Sequence, residues 1–300
     1  MKQYFAGAVD LLAIALALIA AVLHACWSLL SKRLSRYDPA AFVWLASLAS
    51  LIAYGPVVLV LAGSATLHPS GTQVVFMAGS ILINLGYFML TQYGYGNGDL
   101  SFVYPIARGT GPILATLGGV VLLGQSPSAL GVIGLLAVAA GVMTLGLLGR
   151  PGTSGDRPAP TSGLGYALLS GVAIAAYTLW DQHAVGALAI SPLLLNAVDD
   201  AGRVVLIAPV AARNRYEVRR LWRECRWLIV AAGILMPMPY LLFLYALRIA
   251  PISVVSPVRE VSVVLVVLAG GRFLAEGQLR VKLLVSATVL LGLVTLAVGA

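Results

Sequence analysis

In a chain of 300 residues that is 60% hydrophobic and 10% charged, chemistry has to be sought at the few ionisable groups inside apolar runs. Arg108 and Arg259 come first, because each follows a proline, Pro105 or Pro257, within such a run. A guanidinium there can hold a carboxylate or phosphate through two parallel N–H bonds. It can equally snorkel to a headgroup or bind carbonyls freed by the proline, and the sequence weighs these readings evenly. Glu260 adjoins Arg259 in the chain but points about 100 degrees around the helix, which makes it a proton-coupling candidate or a static partner of either arginine. His24 and Trp27 share one helical face with Ser28, and either binds substrate or packs between helices. Tyr87, Tyr93, Tyr177, Trp180, Tyr240 and Tyr245 each combine an apolar ring with a polar handle, which suits amphipathic organic solutes.

Other polar groups read as structural. Asp181 and His183 close a span and are expected to anchor its end. Asp199 and Asp200 stand four and three residues before Arg203, so one helical face can neutralise that arginine. Tyr104, at the start of its span, is expected in an interfacial aromatic belt. Asn84 and Gln92 add neutral polar groups, and Gly86, Gly94, Gly109, Gly111, Gly118 and Gly119 permit close helix approach. His24, His68 and His183 are scattered, and Cys26 and Cys225 lack CxxC spacing, so neither a metal, a disulfide nor another cofactor is implied. With no nucleophile and base pairing, no paired-carboxylate motif and no GxxxxGK[ST], the pattern speaks against an enzyme and against direct ATP drive.

The elements that must position these groups follow from the apolar runs. They recur at about 20 residues, the length an α-helix needs to cross a bilayer, and runs such as 261–269 lack the alternation of a membrane barrel strand. Ten spans are expected, near 9–31, 39–62, 72–96, 100–123, 128–148, 163–183, 192–212, 226–248, 252–274 and 280–299. A polar Gly/Pro stretch divides the chain into 1–148, a linker at 149–162, and 163–300.

The halves resemble one another. Displaced by 151 residues, Lys32 meets His183, Arg108 meets Arg259, Gln125 meets Glu276, Gly141 meets Gly292 and Thr144 meets Thr295. At 152, Tyr93, Ser101 and Pro105 meet Tyr245, Ser253 and Pro257. Five spans per copy send the second copy into the bilayer from the opposite face, giving an inverted repeat suited to alternating access. Fourteen Lys and Arg fall after odd-numbered spans, against Lys2 and Arg248 on the other side, which places both termini outside the cytoplasm. The stretch from Arg213 to Arg226 dominates that bias and reads as an orientation anchor rather than a phosphoinositide or nucleic-acid site. The net charge of +8 is therefore a topology signal, and no nucleic-acid partner is expected.

The segments His24-Ala25-Cys26-Trp27-Ser28-Leu29-Leu30-Ser31-Lys32 and Tyr104-Pro105-Ile106-Ala107-Arg108-Gly109-Thr110-Gly111-Pro112, with the duplication, resemble the EamA-like branch of the drug/metabolite transporter superfamily. Leu123-Gly124-Gln125 and Leu274-Ala275-Glu276 are similar to the acidic end of the fourth helix in each family repeat. Gln125 in place of the usual Glu speaks for a helix-end or loop-capping role there. The resemblance implies ten helices around a central cavity lined by spans 1, 3, 4, 6, 8 and 9. It also implies termini in the cytoplasm, opposite to the charge count. Together these readings point to an all-α inner-membrane transporter of small organic solutes, amino-acid-like, anionic or amphipathic. Protons are the candidate coupling ion, lipid is the surround, and the unit is a monomer or homodimer. The alternatives are a facilitative channel-like permease and a non-transporting scaffold.

Overall fold

The computed structural model describes residues 2–61, 69–123, 128–148, 161–247 and 258–298, and the regular elements among them are helical. They are α1 (Lys2–Leu34), α2 (Pro39–Leu61), α3 (Gly71–Asn97), α4 (Leu100–Leu123), α5 (Ala129–Leu148), α6 (Thr161–Gly186), α7 (Pro192–Arg213), α8 (Arg215–Leu235), α9 (Met238–Leu247), α10 (Ser262–Phe273) and α11 (Leu279–Val298). Six helical stretches among the described residues are long and apolar enough to cross a membrane: 11–34, 39–60, 71–97, 163–186, 215–243 and 279–296.

The expected span near 226–248 takes a different form. Its helix starts already at Arg215, where Arg220 pairs with Glu217 at 3.6 Å and Glu224 at 3.2 Å, one helical turn to either side. It kinks at Cys225 (φ −133, ψ 20) and breaks after Leu235. Pro237 lacks an amide hydrogen and its ring clashes with the preceding turn, so the helix restarts as α9. The expected span near 252–274 is described only from 258, with a helical turn at 258–260 leading to α10.

The two halves pack reciprocally. Helix α1 lies against α9 and α10 of the second half, as α6 lies against α3 and α4 of the first, while α2 meets α7 and α5 meets α11. The α5–α11 seam shows the relation at single residues. A Cβ added to Gly141 would stand 2.5 Å from Val289 Cγ2, and one added to Gly292 would stand 2.8 Å from Val138 Cγ2. Both residues of one contact are the other contact's residues displaced by 151. Gly109 and Gly111 serve the same close approach, against Val142 at 2.4 Å and Ile174 at 2.5 Å.

One end of the bundle is tied by charge. Lys32 donates to the carbonyls of Tyr95 and Gly98, placing a cation where α3 leaves acceptors unpaired. Glu276 accepts from the amides of Leu100 at 2.7 Å and Ser101 at 2.8 Å, so the second half caps the start of α4 in the first. To reach it, the loop after α10 holds Ala275 (φ 54) and Gln278 (φ 59) in the left-handed region, at roughly 1–2 kcal/mol each. Lys282 completes the tie with Asp99 at 2.8 Å and Ser101 at 2.9 Å. Helix capping is thus the role the acidic end of this loop performs; Gln125 lies outside the described residues.

Candidate functional site

The site is built where α1, α4 and the 258–273 segment meet. Helix α1 brings His24 and Trp27, one turn apart, with ring centroids 5.7 Å from one another. Helix α4 brings Tyr104 and Arg108, also one turn apart, and Arg108 Nε donates to the Tyr104 hydroxyl at 3.2 Å. The Tyr104 hydroxyl also shares a 3.1 Å hydrogen bond with Ser262 Oγ at the start of α10, and its ring lies 5.7 Å from His24. Tyr104 therefore links all three elements. It is only 4% exposed. The interfacial-belt expectation is corrected: Tyr104 lies near the start of α4, but its ring packs on His24 and its hydroxyl on Ser262, so it is buried between helices.

Arg259 and Glu260 enter from the helical turn before α10. Arg259 Nη2 meets Glu260 Oε1 at 3.1 Å, and its guanidinium lies 4.1 Å from the Phe243 ring centroid on α9. Arg108 reaches the same neighbourhood through Tyr104, which contacts His24 and Ser262, two residues beyond Glu260. Pro257, whose freed carbonyls were a rival use for Arg259, lies outside the described residues.

This place gathers several buried polar atoms with unmet hydrogen-bonding capacity. Arg259 Nε, Trp27 Nε1 and His24 Nε2 are buried without a hydrogen-bond partner among the described residues, as is Thr110 Oγ1 two residues beyond Arg108. An unpaired buried N–H forfeits about 1–3 kcal/mol of solvation. Two of these nitrogens can only donate, and the group that would satisfy them is an acceptor.

The expected aromatics divide. Tyr87 and Tyr177 approach edge to face at 5.4 Å, and Tyr87 lines, with Thr91, Tyr104 and Arg108, a cavity of ≈ 10 Å³. That is roughly the room of one water molecule. Side chains of α3, α4 and α6 border this small space next to Arg108, and part of the lining implied by the resemblance, at 252–257, lies outside the described residues. Trp180 does not reach the arginines. It donates to the Phe76 carbonyl at 2.8 Å, stacks on Phe76 at 4.5 Å and covers Gly79, which is a packing role. Tyr93 is 41% exposed and stacks on Tyr166 at 5.6 Å, and Tyr245 is 58% exposed, so this repeat-related pair lies on the outside of the bundle. Tyr240 sits at the margin, 38% exposed.

A second polar cluster forms among α2, α3, α6 and α7. Arg203 pairs with Asp200, binds Ser47 Oγ at 3.0 Å and lies 4.5 Å from the Phe88 ring centroid; Asp200 also accepts from Ser50 at 2.7 Å. The expected local neutralisation holds for Asp200 alone. Asp199 turns to Ser80, which contacts it at 3.2 Å and Asp181 at 2.7 Å, with Asn84 3.5 Å from Asp181. His183 stacks on Phe76 at 4.9 Å.

Gln92 is buried and donates to Ser31, joining α3 to α1. No group of three or more His, Cys, Asp or Glu able to hold a metal occurs among the described residues.

Comparison with known proteins bears on this arrangement twice over, once for each half. The profile of the EamA-like transporter family matches residues 11–147 and again residues 161–298. No individually curated protein matches the chain. Two matches cover most of the sequence, the first containing Arg108 and the second Arg259. The chain is a multi-pass membrane protein and belongs to the EamA-like transporter family.

Proposed function

We propose that this transporter moves small organic anions or zwitterions, with the substrate's carboxylate or phosphate held between Arg108 and Arg259. The observation that carries this reading is the pair of buried donors left without acceptors, Arg259 Nε and Trp27 Nε1, with His24 Nε2 also unpartnered, where Arg259 meets Glu260 and Tyr104 joins Arg108 to the same place. An isolated charge at membrane depth costs several kcal/mol unless a partner or water meets it. A bound anion would supply the partner that the protein withholds. Tyr87 and Tyr177 would border the organic part of the solute, and Tyr104 would fix the orientation of Arg108.

Two inverted five-helix repeats, 1–148 and 163–300 about a linker at 149–162, supply ten spans in this reading, in the inner membrane. The reciprocal packing of α1 and α6 and the paired contacts of Gly141 and Gly292 support it. The small space beside Arg108 fits one occluded state of an alternating-access cycle, in which α1 and α6 rock against the opposite half. Glu260 is the group through which protons would couple: protonation weakens its hold on Arg259 and frees that guanidinium for substrate.

Uptake into proteoliposomes tests this, across amino acids, organic acids and nucleosides, with and without a pH gradient, for wild type, Arg108→Gln and Glu260→Gln. Gradient-driven accumulation of an acidic or zwitterionic solute, lost in Glu260→Gln, is the expected result. Flux restricted to quaternary ammonium compounds, or unchanged in both variants, contradicts it.

A further inference from the structure

Outside the central site, a recess lies at the bundle surface between α2 and the first half of α8, with a volume of ≈ 560 Å³. Its floor is Leu45 and Val218, its flanks are Tyr216 and Trp222, and Arg215, Arg219 and Arg223 line it at intervals of four residues. The spacing places the three guanidinium groups along one side of the helix.

These arginines are uncompensated. The acids within reach are Glu217 and Glu224, and both pair with Arg220; Glu224 also accepts from the Tyr37 hydroxyl at 2.8 Å. Tyr37 lies in the turn between α1 and α2, and its phenol is pushed up to about 12, first by its hydrogen bond with Cys225 and then by that with Glu224. It stays neutral and adds no negative charge. Among the described residues, Arg215, Arg219 and Arg223 have no ion-pair partner, and all three are exposed. Trp222 is 43% exposed and Tyr216 67%, ring types that favour the boundary between headgroups and hydrocarbon. The kink at Cys225 then separates this basic stretch from the apolar remainder of α8.

We infer that this recess is a binding site for one anionic phospholipid, with its phosphodiester held by Arg215, Arg219 and Arg223 and its glycerol and upper acyl carbons on Leu45 and Val218. Arginine forks match a phosphate's paired oxygens, and an apolar floor has no use for a free inorganic anion. The same recess at a membrane surface finds such lipids at high local concentration. The sequence accounts for the stretch as an orientation anchor through its charge alone. The recess adds a stereochemical site to that charge, and it stands independently of the transported substrate.

The test is native mass spectrometry of the full chain in neutral detergent, with phosphatidylglycerol and phosphatidylcholine of the same acyl chains as probes. Wild type should retain phosphatidylglycerol at least about tenfold more strongly than phosphatidylcholine. The triple variant R215Q/R219Q/R223Q should lose that preference, whereas R272Q/R280Q, removing charge from exposed positions elsewhere, should keep it. Should the triple variant fold poorly, the single reversal Arg219→Glu gives the same reading on a smaller scale. Equal retention of the two lipids by wild type overturns the proposal. So does an undiminished preference in R215Q/R219Q/R223Q, or displacement of the lipid by excess inorganic phosphate, which would mark a free-anion site.

Discussion

The two polar clusters inside this bundle both hold arginines and treat them in opposite ways. Around Arg203 the protein supplies the partners of the guanidinium, Asp200, Ser47 and the face of Phe88, with Ser50 fixing the far carboxylate oxygen, and among the described residues only the neighbouring Asp199 Oδ1 goes unmet there. Around Arg108 and Arg259 it supplies one carboxylate and one phenol, and leaves Arg259 Nε, Trp27 Nε1 and His24 Nε2 unanswered. A saturated buried charge ties helices together. An unsaturated one keeps capacity for something that arrives later, and the comparison separates scaffold from site without reference to sequence position.

Breaking the saturated cluster should have the largest effect on folding. Arg203→Met strands Asp200 in the interior, and thermal or denaturant unfolding in micelles should show a loss of about 3–5 kcal/mol. Arg108→Gln and Arg259→Gln should behave in the reverse sense, with stability nearly kept and initial uptake rates reduced tenfold or more, as loss of a charged hydrogen bond worth about 1.5–3 kcal/mol requires. If Arg203→Met unfolds nothing while Arg259→Gln does, the distinction between the clusters is lost.

The cross-repeat cap sharpens the picture at the edge of the site. Glu276→Ala removes two charge-assisted bonds to the first amides of α4 and should lower stability by about 1–3 kcal/mol. Because α4 carries Tyr104 and Arg108, uptake should fall as well, and Glu276→Gln should restore part of both. Trp27→Phe removes an unpartnered N–H while keeping the ring. Stability should hold or rise, and apparent substrate affinity should drop by about fivefold, one neutral hydrogen bond's worth. The smallest effect belongs to Tyr93→Phe, on the exterior, where stability should stay within about 0.5 kcal/mol and uptake should not change.

Much of this was legible in the residues themselves. The pairing of Arg108 with Arg259 came from a displacement of 151, and the same displacement describes the Gly141 and Gly292 contacts. Equivalence in the repeat did not tell which way a side chain faces, however: Tyr93 and Tyr245 are partners in the duplication and both lie outside. Rotation about a helix axis is set by tertiary packing, which hydrophobicity reads poorly when nearly every face is apolar. Tyr104 departs from its expected place for a related reason, since position near a span's start implies an aromatic belt only where the side chain faces outward. The bond from Asp199 through Ser80 to Asp181 joins three helices, and no spacing within one helix announces it.

The most direct measurement of the central claim is equilibrium binding to the purified protein of one transported carboxylate and of its methyl ester, in wild type and in Arg259→Gln. The account predicts that wild type binds the acid at least about tenfold more tightly, a single charged hydrogen bond's worth, and that Arg259→Gln brings the two close together. Equal binding of acid and ester by wild type would contradict it, and the unpartnered donors would then have no part in recognising the substrate.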